Sequence, residues 1–160
     1  LEQFGGHQFA AGMTLDVENV PKLQAKFEEV VSNTIDPELL IPKMEIDLEI
    51  NLSDINDKFW RLVKQFAPFG PDNMKPVFVT RGCIDGGWSK AVGGEKTHLK
   101  LDVVQQENPG QKISGIAFNL GHLEKEIKSK KRFDIVYTIE ENEWQGKVSL
   151  QLMVKDLKFL

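Results

Sequence analysis

The sequence predicts a mainly β fold with flanking helices (α+β), built around five strands that close into a small Greek-key barrel. Three features predict it. Apolar residues alternate with a period of two in segments spread between positions 98 and 154, the pattern of half-buried strands. A polar segment with Leu120, Leu123 and Ile127 at helical spacing interrupts the strands between the third and the fourth. The pair Gly86-Gly87 permits a bulge or sharp bend within the first strand.

In chain order, the first strand is read over Pro76–Asp85 and continues past the bend from Trp88 to Val92. Gly93-Gly94-Glu95-Lys96 is a turn, and the second strand, His98–Val104, alternates through Leu99, Leu101 and Val103. A third strand, Ile113–Phe118, follows a turn at Asn108-Pro109-Gly110, and the helix occupies Leu120–Lys130. Phe133, Ile135, Tyr137 and Ile139 mark the fourth strand; Val148, Leu150, Leu152 and Val154 mark the fifth. Five strands with a helix between the third and fourth is the layout of the OB-fold. An SH3-like barrel or a β-sandwich fragment calls for no helix at that place.

Upstream, Phe9–Leu15 reads as a short buried strand after a glycine turn at Gly5-Gly6. A helix follows, with Asn19 as cap and Pro21 in the first turn, where its missing N–H is not needed. Its apolar residues Val20, Leu23, Phe27, Val30 and Val31 need a partner surface that one strand cannot supply. Residues 1–34 are therefore expected to be the tail of a larger domain. Residues 35–75 read as a lead-in to the barrel, which is assigned to 76–160. Within the lead-in, Pro37 and Pro42 stiffen a linker, and Glu45–Leu52 alternates as a half-buried strand. Ser53 or Asp54 would cap a helix with the stripe Ile55, Phe59, Leu62, Val63 and Phe66, and with Trp60 beside it in the core. Leu1 in place of Met, with a glycine pair so near it, makes a piece of a longer protein the expectation.

At 160 residues with 41% apolar side chains, the chain can bury one core and carry an appendage. No apolar stretch approaches the roughly 20 residues that cross a bilayer. The single cysteine, Cys83, excludes an intrachain disulfide and fits a reducing compartment, so no membrane partner and a cytoplasmic location are expected. The net charge of −4 hides a segment, 75–132, that carries +5. Local potential, more than the total, attracts a phosphate backbone. Taken alone, the pattern favours an ordinary solvated face.

Three stretches add a family resemblance. Phe4-Gly5-Gly6-His7-Gln8-Phe9-Ala10-Ala11-Gly12 resembles the Gly-Gly-His…Ala-Ala-Gly motif that closes the DHHA1 domain of DHH-family phosphoesterases. Pro68–Phe78 resembles the Pro-Phe-Gly-Pro-Gly-Asn-Pro stretch of RecJ exonucleases, with Asp72 and Met74 departing from it. Asn142–Leu157, together with Lys96–Leu101, resembles the RecJ OB domain. The resemblance implies a strand-helix remnant of DHHA1 followed by an OB barrel. It also implies a parent that removes nucleotides from the 5′ end of single-stranded DNA with Mn²⁺ or Mg²⁺. The Asp-His-His motif and metal-binding aspartates of that family have no counterpart in this sequence, so no catalytic residue, no metal site and no activity are expected of this chain alone. His7, His98 and His122 show no metal-ligand spacing.

Through the resemblance, Gly5, Gly6 and His7 would hold a substrate phosphate in the intact enzyme, facing a DHH catalytic domain in cis; otherwise they are a glycine turn with a solvated imidazole. For the barrel, Arg81, Trp88, Lys90, Lys96, Lys100 and Lys112 are the candidate single-stranded-DNA contacts, flanked by loops at Gly93–Thr97 and Glu141–Lys147. Trp144, among Glu140, Glu141 and Glu143, is expected to pack on the barrel rim. The competing expectation is a protein-docking module that positions the nuclease on a helicase or on single-strand-binding protein.

Overall fold

The computed structural model describes residues 2–160, in two units that divide between Met44 and Glu45. In the first, β1 (Gln3–His7) and β2 (Ala10–Thr14) form an antiparallel hairpin, followed by α1 (Val20–Thr34). Gly5-Gly6 is thus inside a strand and not in a turn. Gly6 is required there, because a Cβ would stand 2.7 Å from the Ala10 carbonyl oxygen. The expected buried strand is instead exposed along its whole length, since a two-stranded ribbon has one neighbour and no covered face. Asn19 precedes α1 without a side-chain capping bond. The apolar face of α1 remains largely uncovered, with Phe27 62% exposed.

In the second unit the strands are β3 (Leu48–Glu49), β4 (Phe78–Asp85), β5 (Lys90–Val92), β6 (His98–Gln105), β7 (Asn108–Ala117), β8 (Phe133–Trp144) and β9 (Lys147–Phe159). Strand β4 pairs with β8 through its first half and with β6 through its second. The ring β4-β6-β7-β9-β8 therefore closes, with β7 and β9 parallel and the other ring pairs antiparallel. This is the five-stranded OB barrel. Cys83 is the pivot, facing Gln105 on one side and Phe133 on the other, across a bulge that includes Gly82 at φ 66°. Inward residues Leu99, Leu101, Val103, Phe133, Ile135, Tyr137 and Leu152 fill the interior. Burial pushes the Cys83 thiol up to about 12, with Asp134 adding to it, and raises the Tyr137 phenol above its ordinary value.

Each end of the barrel is stoppered. At the end where β6 finishes, Ile50, Leu52 and Ile55 enter the core. Gln105 fixes them: its Oε1 accepts from the Leu52 N–H, and its Nε2 donates to Asn51. Thr80 donates to the Ile50 carbonyl, so its hydroxyl oxygen is left to accept from Tyr137 at 2.7 Å. At the end where β6 begins, α3 (Glu124–Lys128) and the 3₁₀ turn Gly121–Leu123 insert Ile127. Gly121 donates to Thr97, and any Cβ at that position would overlap the Lys96 carbonyl oxygen.

Several boundaries differ from expectation. The alternation at Glu45–Leu52 yields only a two-residue strand parallel to β4, and of its apolar face Ile50 and Leu52 are buried while Ile46 and Leu48 stay exposed. Asn56, not Ser53 or Asp54, caps α2 (Asp57–Lys64); Asp54 is used by a local box with Asn51. Phe59 and Trp60 pack against the core, whereas Leu62 and Phe66 face outward. Asn108-Pro109-Gly110 lies within β7, and the turn sits earlier, at Gln106-Glu107. The fourth and fifth strands run far past the barrel as a two-stranded arm, reversed by Gln145-Gly146 alone, both at positive φ.

Gly121→Ala is expected to destabilise the chain by about 1–3 kcal/mol through overpacking. Gly94→Ala, which meets open space, should stay within about 0.5 kcal/mol. Urea unfolding midpoints of the two variants check this, and equal midpoints would contradict the packing described.

Candidate nucleic-acid interface

Register decides which side chains share the outer face of the barrel. Lys90 stands opposite Lys100, Lys100 opposite Ile116, Ile116 opposite Met153, and Met153 opposite Thr138. Side chains alternate across a strand, so His98, Phe118, Asn142, Trp144 and Gln151 belong to that same face. There, Lys100, Ile116, Phe118, Asn142, Trp144, Gln151 and Met153 line one groove. Trp144 is 72% exposed and Phe118 53% exposed, which leaves both rings available to stack on a planar ligand.

The rings are positioned by their neighbours. The His98 ring meets Phe118 edge-on with centroids 4.9 Å apart, and its Nδ1 accepts from the Asn119 N–H. At the base of the arm, Glu141 accepts from both the Trp60 indole and Lys64 at 2.7 Å. The Lys64 and Trp60 hydrogen bonds hold the Glu141 carboxyl below its usual range. Glu140 pairs with Lys75. Two of the three acids near Trp144 are therefore engaged by cations, and Glu141 and Glu143 alternate to the face opposite the ring. Trp144 does not pack on the rim as expected, because the arm extends it beyond the barrel wall.

The other sequence candidates are distributed unevenly. Lys90, Lys96 and Lys100 enter no ion pair among the described residues. Lys90 and Lys100 face each other on the groove side, while Lys96 lies in the β5–β6 turn at φ 54°. Arg81 is held by Glu49 at 2.8 Å and by Asp134 at 2.7 Å, which raises its pKa and spends its charge within the fold. Lys112 donates to the Gly86 carbonyl and lies 3.4 Å from Asp102. Trp88, 80% exposed, sits in the bend between β4 and β5, outside the Trp144 groove. Phe118 was not singled out from the sequence, although its spacing of two from Ile116 places it on this face.

In the hairpin unit, Phe4, Gly5, Gly6, His7, Ala11, Gly12 and Met13 line a shallow exposed depression. His7 Nδ1 accepts from the Phe9 N–H at 3.3 Å. The neutral imidazole then carries its proton on Nε2, a donor for an anionic oxygen. Among the described residues, no three His, Cys, Asp or Glu side chains converge as a metal site would require.

Comparison with known proteins places this geometry. The RecJ OB domain family model matches residues 46–156. The single-stranded-DNA-specific exonuclease RecJ of Bacillus subtilis (strain 168) is 36% identical over 157 residues, covering 98% of this chain and 19% of the relative. The corresponding protein of Haemophilus influenzae is 31% identical, covering 95% and 26%. Crystal structures of Thermus thermophilus RecJ in complex with Mg²⁺ and with Mn²⁺ superpose with TM-scores of 0.69 and 0.73, at 22% and 21% identity. Each superposition covers 98% of this chain, but only 23% and 22% of the RecJ chain. The chain thus spans about a fifth to a quarter of the length of the relatives it matches. Closed ring, parallel β7–β9 pair and matched residues agree: the chain belongs to the RecJ OB domain family.

Proposed function

We propose that the barrel binds single-stranded DNA along the β6-β7-β9-β8 face, as part of a metal-dependent exonuclease of RecJ type that acts in DNA repair and recombination. The observation that carries the reading is the groove in which exposed Trp144 and Phe118 lie beside Lys100, with Lys90 next to it. Stacked bases and a cation for the flanking phosphates are what a single strand requires. The relatives are named single-stranded-DNA-specific exonucleases, and the family resemblance adds removal from the 5′ end. Catalysis, with Mn²⁺ or Mg²⁺, belongs on this reading to a DHH domain in cis, and this chain alone is inactive. The cytoplasm is the proposed location.

Residues 1–34 are proposed as the end of a DHHA1 domain. Gly5 and Gly6 let the backbone approach a substrate phosphate, and His7 offers it the Nε2 proton. In the intact enzyme, His7→Ala is expected to lower the exonuclease rate at least tenfold while leaving the barrel's unfolding midpoint unchanged. An unchanged rate would discard the assignment.

For the barrel, Trp144→Ala should weaken oligothymidylate binding by about 1–3 kcal/mol. Lys100→Ala should lower the slope of log K against log salt by about 0.7. Arg81→Ala should change neither by a comparable amount, because two carboxylates already occupy that guanidinium. Tryptophan fluorescence titrations at two salt concentrations read all three. Absence of any salt-sensitive response, with a helicase or single-strand-binding protein retained instead, would favour docking.

A further inference from the structure

Resting on the single-strand reading of this face, we infer that the groove is a nucleobase subsite, in which Asn142 and Gln151 hydrogen-bond the edge of one base stacked on Trp144. The lining is wrong for a phosphate. It offers a single cation, Lys100, against the apolar surfaces of Ile116, Phe118, Met153 and Trp144. A flat, mainly apolar floor with a few polar groups at its margin is the chemistry of a base. Ile116 and Met153 are direct cross-strand neighbours and form that floor.

The two amides supply the margin. Asn142 pairs in register with Ser149, and Gln151 with Glu140, so the amides lie diagonally across the β8–β9 pair on the groove side. Neither side chain makes a hydrogen bond within the described residues; only the Asn142 backbone carbonyl is used, by Ser149. The nearest competing group, Glu140, is engaged by Lys75, which keeps it from drawing the Gln151 amide away. A primary amide presents one donor and one acceptor side by side. The Watson–Crick edge of every base also presents a donor beside an acceptor, so an amide can join any of them. The subsite therefore binds the base by its edge while accepting all four bases, and Lys100 is left for the adjoining phosphate.

The test uses residues 1–160 and two oligonucleotides: oligothymidylate, and the same oligomer with every thymine replaced by 2,4-difluorotoluene. That isostere keeps the stacking surface and the backbone charge but forms only feeble hydrogen bonds. The subsite predicts affinity about three- to tenfold lower for the isosteric oligomer. The same drop is expected when Asn142→Ala/Gln151→Ala binds natural oligothymidylate, with no further loss when that variant meets the isostere. Equal affinity of the unsubstituted chain for both oligomers, with Trp144→Ala still weakening each, would overturn edge recognition and leave the stacking surface standing. Failure of both oligomers to bind, with Trp144→Ala indistinguishable from the unsubstituted chain, would overturn both readings. Retained circular dichroism of the variants separates loss of contact from loss of fold.

Discussion

The structure depends on one strand serving two neighbours. β4 gives its first half to β8 and its second half to β6, and the bulge between Thr80 and Cys83 lets it change partner. Without that pairing the sheet would stay open between β4 and β6, edged only by the short strands β3 and β5, and the inward face of aromatic and aliphatic side chains would be exposed to water. Closure pairs the backbone groups of both strands and makes a dry interior for Phe133, Tyr137 and Leu152. It also fixes what lies outside. Once inward positions are set, period two dictates that Lys100, Ile116, Met153 and Trp144 point outward together. The proposed binding face is in this sense the reverse side of the core.

Polar groups secure the closure at the places where hydrophobic packing cannot. Gln105 and Gln111 hold the segment around Leu52 by its backbone, and Thr80 with Tyr137 ties Ile50 to the wall. Each of these buried donors and acceptors has a partner, so the stopper does not leave unsatisfied groups behind. Arg81 belongs with this group. It bridges Glu49, beside the stopper, to Asp134 on β8, and its charge serves the fold.

Much of this was legible in the sequence. The strands β6, β8 and β9 and the helix before β8 follow from alternation and spacing, because burial on one face of a sheet leaves a period-two trace. The same trace misled at Glu45–Leu52, where Ile50 and Leu52 enter the core but Ile46 and Leu48, on the same alternation, stay exposed although the segment pairs with β4. Asn108-Pro109-Gly110 carries turn chemistry, yet β6 and β7 reverse at Gln106-Glu107, and the Pro is accommodated at the exposed start of β7. Charge was the least legible property. Lys100 and Lys112 look alike along the chain, but only the folded chain brings Asp102 and the Gly86 carbonyl to Lys112. The converse holds beside Trp144: Lys64 and Lys75, which engage Glu141 and Glu140, are more than sixty residues away in the chain.

On the proposed reading, an unpaired strand of DNA lies on the outer β6-β7-β9-β8 face. Amide and side-chain NMR shifts of the chain, recorded while oligothymidylate is added, test it most directly. The largest changes are expected at Lys100, Ile116, Phe118, Trp144 and Met153, with Arg81 and the Leu52 stopper unmoved. Changes centred on Arg81 and β4, or a spectrum unaltered at saturating oligonucleotide, would contradict it.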